Sequence, residues 1–224
     1  MKLKHISHLI TGSVMELFGV MADGKVVNSY ELTNKRGAKL KVINYGATVT
    51  SLKIPLKSGE MVDVVLGFDT LENYINSFDL ESAPYLGATV GRYAGRINNA
   101  TFNLNGEIIH LDKNNNGHSL HGGKDNFSKK VWEVKNVNEG CSPSITFGYL
   151  SPANEGNYPG DLSVELTYTL SENNELIIEY NAQTTEDTVL NLTHHSYFNL
   201  DGHEHAVTQQ ELFVNADRVI EKNY

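Results

Sequence analysis

The sequence predicts an all-β chain, a sandwich or barrel of antiparallel strands. Three observations carry that prediction: short runs alternating apolar and polar residues, glycine and asparagine between them, and almost no helical periodicity. In "KLKVINYGATVTSLKIP", Leu40, Val42, Leu52 and Ile54 alternate on either side of a turn at Gly46. "MVDVVLGF" is a shorter and more buried run. "DTLENYINS", residues 69–77, is the one short helical stretch. "ATFNLNGEIIHL" sets Asn105-Gly106 between two apolar segments, a strong local signal for a two-residue hairpin. That turn pairs Leu104 with Glu107 and Phe102 with Ile109, an aromatic against a β-branched residue. In "SITFGYL" Ile145, Phe147 and Tyr149 alternate. "SVELTYTLSENNELIIEYNAQT" reads as a long hairpin, with Val164, Leu166, Tyr168 and Leu170 on one face and Leu176, Ile178 and Tyr180 on the return. "TVLNLTHHSYFNL" is apolar and β-branched enough for a strand running into a turn at Asp201-Gly202.

The chain has 224 residues, long enough for one large β domain, and no repeat, linker or low-complexity tract divides it. Residues 1–224 are therefore expected to be one domain. A net charge of −9 speaks against a nucleic-acid partner, which would need clustered lysine and arginine. The single cysteine, Cys141, can form no internal disulfide. The apolar run at the N-terminus is broken by Gly12, Ser13, Glu16 and Gly19, so it does not resemble the core of a signal peptide. No segment reaches the ~20 apolar residues of a membrane span. The expectation is a soluble, cytoplasmic protein without a membrane partner.

Three segments carry chemistry. "GATVGRYAGRINNATF", residues 87–102, surrounds Arg92 and Arg96 with glycines; a guanidinium suits hydroxyls or carboxylates, and a turn with two surface arginines is the plainer alternative. "NNNGHSLHGG", residues 114–123, places His118 and His121 three apart in a loop rich in positive-φ formers, a spacing that zinc could use only with further ligands. "NLTHHSYFNLDGHEH" gathers four of the nine histidines. Neighbouring side chains of a strand point to opposite faces, so only one of His194 and His195 can face a given pocket. The residues alone leave open which one.

Taken together, "NYGATVTSLKIP", "DVVLGFDTLENY", "GRYAGRI", "NGHSLHGG" and "HSYFNLDG" resemble, in order and spacing, the aldose 1-epimerase (galactose mutarotase) family, from about residue 30 onward. The resemblance implies an antiparallel β-supersandwich, galactose mutarotase-like, with a sugar site in an open cleft. It also implies interconversion of the α and β anomers of free aldoses such as galactose or glucose. A base takes the C1 hydroxyl proton, an acid protonates the ring oxygen, and the opened aldehyde rotates before reclosure. Positioned proton transfers of this kind contribute about 10²–10⁴-fold each. On the same resemblance His195, directly before "SYFNL", is the general acid, an imidazole suited to move protons near neutral pH. Gly95, Arg96 and His121 correspond to sugar-binding positions. Tyr197 shares the strand face of His195, and His194 is non-catalytic.

The family's general base, a glutamate, and a sugar-binding aspartate lie beyond Tyr224. Neither Glu211 nor Glu221 sits in the base motif. The chain is thus expected to be an incomplete supersandwich lacking the base, inactive alone, and a monomer once completed. No cofactor or metal is required. The resemblance leaves room for a calcium ion, although no dense run of carboxylates asks for one. Two other classes compete: a non-catalytic carbohydrate-binding or regulatory module, and a cupin-like metal site formed by His203, His205 and Glu211 in "GHEHAVTQQE".

Overall fold

The computed structural model describes residues 9–10 and 13–218. Residues 1–8, Gly12 and Glu221, which bear on the signal-peptide and base-motif expectations, lie outside the described residues. From Ser13 onward the N-terminal region is strand.

Six strands form the first sheet in simple chain order: β1 (Leu9–Ile10), β2 (Ser13–Val20), β3 (Val26–Thr33), β4 (Lys39–Ile43), β5 (Thr48–Pro55) and β6 (Met61–Asp63). All neighbours run antiparallel. The alternation on either side of Gly46 becomes the β4–β5 hairpin, with Leu40 opposite Leu52 and Val42 opposite Val49. The run "MVDVVLGF" is ladder only to Asp63. That carboxylate accepts from the Leu52 and Val65 N–H groups, ending the strand, while Val65 is fully buried.

The stretch 69–77 forms α1 (Leu71–Ser77), its first turn capped by the Thr70 hydroxyl accepting from the Asn73 N–H. Leu71 and Tyr74 pack on Val27, Ile43 and Tyr45 at the back of the first sheet. Short pieces follow: β7 (Thr89–Val90), β8 (Arg96–Ile97), β9 (Thr101–Leu104), β10 (Glu107–His110) and β11 (Ser119–Leu120). The β9–β10 hairpin has the predicted register, Leu104 to Glu107 and Phe102 to Ile109. Asn105 and Gly106 both take positive φ, as such a turn requires.

The second sheet is again a meander: β12 (Glu133–Asn138), β13 (Ser144–Ser151), β14 (Leu162–Leu170) and β15 (Leu176–Thr184). Leu166 faces Tyr180, Tyr168 faces Ile178 and Leu170 faces Leu176, the pairing that the alternation predicted. The two sheets share one core. Tyr30, Leu32, Leu40 and Val42 from the first meet Ile145, Phe147, Val164 and Leu166 from the second, with Trp132 and Phe127 between them. Each large side chain buried there contributes roughly 1.5–3 kcal/mol.

The strand expected across 188–200 is corrected. Only β16 (Thr193–His194) is ladder, paired with β7. The segment changes partners along its length: His195 bonds to residues 87–88, whereas Tyr197 and Asn199 bond to Leu66 and Val64. It therefore threads from one neighbour to the next instead of lying along either.

Candidate functional site

A two-rung ladder places the first half of the site. β8 pairs with β11, with Leu120 opposite Arg96. The loop before β11 is held by one side chain, Asn114. Its Oδ1 accepts from the Leu120 N–H at 2.7 Å, and its Nδ2 donates to the carbonyls of Leu120 and Gly123. His121 follows with φ 54°, its N–H on the Gly95 carbonyl and its Nδ1 accepting from the Gly95 N–H at 3.1 Å. That acceptor role fixes the tautomer: the hydrogen of the neutral ring sits on Nε2. Burial, then the neighbouring His195 and Arg96, pushes the His121 pKa down to about 4, so the ring is neutral at ordinary pH. Gly122 is needed because the backbones nearly touch; a Cβ there would stand 2.0 Å from the Gly91 oxygen.

His195 supplies the second half. Its N–H donates to the Ala88 carbonyl and its own carbonyl accepts from the Gly87 N–H, which pins the residue on both sides. Its ring lies 5.3 Å from that of His121, 5.8 Å from Tyr85 and 5.4 Å from Tyr197, centroid to centroid. His194 points the other way. Its Nδ1 is 3.4 Å from the Tyr168 hydroxyl in the sandwich core, and its Nε2 meets the Ser196 hydroxyl. The Tyr168 hydroxyl donates to the Ala47 carbonyl, so toward His194 it can only accept, and Nδ1 carries the hydrogen. Burial and the nearby His195 hold the His194 pKa at about 4.

An open cleft of about 630 Å³ is lined by Arg96, His121, His195 and Tyr197, and His194 is not among its walls. His194 borders a neighbouring depression along residues 191–197, where Gly95 also lies. The Arg96 Nε donates to Asn115 Oδ1, leaving the other guanidinium N–H groups to the cleft. Several cleft residues escaped sequence reasoning. Tyr85 is buried, takes φ 51°, and sets its ring against both His121 and His195. Phe78 packs edge-on against Tyr85 at 5.3 Å. Lys113, Asn115, Lys124, Lys129 and Glu81 also stand on the walls. Asn115 falls in the asparagine-rich segment already singled out, and no sequence pattern marks the others.

The two-surface-arginine alternative is wrong for Arg92, which is 2% exposed. Its guanidinium donates to the carbonyls of Ser151, Pro152, Pro159 and Gly160 and to the Ser151 hydroxyl. Every donor is used, so Arg92 is a structural bolt between the glycine-rich segment and the loop after β13. Two further histidines are likewise engaged. His118 Nδ1 accepts from the Asn99 N–H, and His203 Nε2 donates to the Val65 carbonyl. The cupin-like set of His203, His205 and Glu211 is not assembled. Among the described residues no group of three or more histidine, cysteine or acidic side chains could hold a metal, and no helix is long and apolar enough to cross a membrane.

The family model described as aldose 1-epimerase matches residues 28–224. The chain is 41% identical over 189 residues to galactose mutarotase of Bos taurus, covering 81% of this chain and 52% of that protein. Against aldose 1-epimerase of Haemophilus influenzae it is 37% identical, covering 87% and 55%. Among solved structures, galactose 1-epimerase from Lactobacillus acidophilus superposes with a TM-score of 0.73 at 27% identity, covering 84% of this chain and 53% of that one. An aldose epimerase homologue from C. elegans gives 0.69 at 37% identity, covering 77% and 51%. The chain thus spans about half the length of the relatives it matches.

Proposed function

Since the chain belongs to the aldose 1-epimerase family, we propose that its cleft binds a free aldose and serves anomer exchange by ring opening and reclosure. One observation carries this: Arg96, His121, His195 and Tyr197, drawn from three separate segments, line a single cleft. In this reading His195 is the general acid at the ring oxygen. Its backbone is fixed on both sides and its ring is packed between aromatic neighbours, so a proton can be delivered without a search for geometry. His121 offers Nε2–H to a sugar hydroxyl because Nδ1 is already occupied by the Gly95 N–H. Arg96 offers the guanidinium donors that Asn115 does not use. Gly95 supplies the backbone approach, and Tyr197, 44% exposed, an apolar edge for the sugar face.

The reaction needs two proton transfers and no redox or metal chemistry. Glu81 is the one carboxylate on the cleft wall among the described residues, and it is exposed. A base held so loosely accelerates little, so the 224-residue chain is expected to be a slow catalyst. The same proposal takes residues 1–224 as part of one cytoplasmic domain.

Polarimetry of freshly dissolved α-D-galactose tests the roles. A residual rate should fall in His195→Asn while sugar affinity is largely kept, because a proton donor acts on the transition state. Equal rates for wild type and His195→Asn remove the acid assignment. Robust turnover abolished by Glu81→Gln would instead make Glu81 the base. Sugar binding by a folded chain with no acceleration at all selects the non-catalytic binding module.

A further inference from the structure

The cleft has an electrostatic character that anomer exchange on a neutral sugar does not ask for. In a chain with nine more acidic than basic side chains, its walls carry Arg96, Lys113, Lys124 and Lys129 against the single carboxylate of Glu81. The local excess is three positive charges. Among the other described lysines, Lys35, Lys53 and Lys57 have no carboxylate within 4.0 Å, whereas five do. Lys25, Lys39, Lys41, Lys130 and Lys135 each lie within 4.0 Å of a carboxylate. None of the four cleft cations forms such a pair among the described residues. Lys129 rests over the Phe78 ring at 5.2 Å, while the adjacent Lys130 takes both Asp125 and Glu155. The carboxylates of Asp125 and Glu155 are thus spent one residue away, and Glu81 is left as the single carboxylate facing the four cations.

Like charges gathered in a concave wall repel one another and focus their field into the opening, which raises the local concentration of an anion there. A neutral hexose gains nothing from that field. Resting on the reading of the cleft as an aldose site, we propose that its preferred ligand is an aldose bearing an anionic substituent, a phosphate or a carboxylate, away from C1. The anion sits among Lys113, Lys124 and Lys129, and the hemiacetal end lies toward His121 and His195.

The test compares dissociation constants of galactose, galactose 6-phosphate, galacturonate and inorganic phosphate for the folded chain, by calorimetric titration at low ionic strength. Galactose 6-phosphate or galacturonate should bind about tenfold tighter than galactose, the order expected for a few solvent-exposed charge contacts acting together. The gap should close at about 0.5 M sodium chloride, where such contacts are screened. The ratio of anionic to neutral affinity should fall toward unity in the double variant Lys113→Gln, Lys124→Gln. A lead for the phosphate sugar alone, or for both acids, tells which anion the site takes. Equal affinity for all three sugars, insensitive to salt, overturns the proposal and leaves the aldose site standing. Inorganic phosphate binding as tightly as galactose 6-phosphate also overturns it, because the sugar would then contribute nothing. A folded chain that binds no sugar of either kind removes both readings together.

Discussion

Strand β14 and the loop from Asn114 to Gly123 both hold rings in fixed positions, and they do so by opposite means. In β14, Leu162, Val164, Leu166, Tyr168 and Leu170 all face inward and are buried because the backbone repeats every two residues. A ladder on both sides sets their direction, and apolar contact supplies the energy. In the loop nothing repeats. His121 is aimed by a positive φ, two hydrogen bonds donated and one accepted by the Asn114 side-chain amide, two with Gly95, and a glycine that lets two backbones touch. The strand answers to volume and the loop to backbone geometry.

That contrast is broken or sharpened by substitution. The largest effect is expected for Gly122→Ala, where the new Cβ meets the backbone oxygen and carbon of Gly91 at 2.0 and 2.6 Å. Neither group can step aside, and the cost should exceed about 4 kcal/mol in urea unfolding. A fully stable Gly122→Ala would show that the loop yields as a core does. Leu166→Ala should cost about 3 kcal/mol by the same measure, within the range for leucine in a core, while leaving the His121–Gly95 contact in place. Loss of that contact in Leu166→Ala, read from the imidazole nitrogen shifts, would mean that the two regions are one unit.

Acid acts on both regions alike. His194 on the sandwich side and His121 in the loop are both held neutral, near pKa 4 against an ordinary 6.5, chiefly by burial. Between those values the unfolded chain binds protons that the folded chain refuses. Stability therefore stands in full above about pH 6.5, declines as pH falls from there toward 4, and levels off below. The urea midpoint should follow that course, and His194→Asn should flatten the part owed to the sandwich. A midpoint independent of pH over this window would contradict the neutral assignment of both rings. The smallest effect belongs to Gly59→Ala in the β5–β6 turn. A Cβ there meets nothing within 4 Å, so only the positive φ is penalised, at about 1 kcal/mol. If Gly59→Ala matched Gly122→Ala, conformation and not close approach would be the common cause.

The long hairpins were legible because each rests on local rules. Asn105-Gly106 fixed the β9–β10 register through its own dihedral preferences, and the alternation of β14 and β15 left one pairing that buries both apolar faces. The segment after Thr188 was misjudged as one strand because composition reports the capacity to extend and not the identity of the neighbour. Arg92 and Arg96 illustrate the same limit. Both are arginines in one glycine-rich stretch, four residues apart, yet one is sealed by four carbonyls and the other opens on a cleft.

By itself, the sequence determined the antiparallel all-β architecture, its main hairpin registers, the short helix and the motifs whose order resembles the aldose 1-epimerase family. These follow from period-two burial, turn dihedrals and side-chain chemistry, all of which act over a few neighbouring residues. The tertiary structure alone decided that Tyr85 packs against both His121 and His195, that His194 turns toward the buried Tyr168, and that four unpaired cations line one cleft. Those outcomes depend on contacts between segments far apart in the chain, and a side chain's partner across such a distance is set by the packing of whole sheets rather than by its own neighbours.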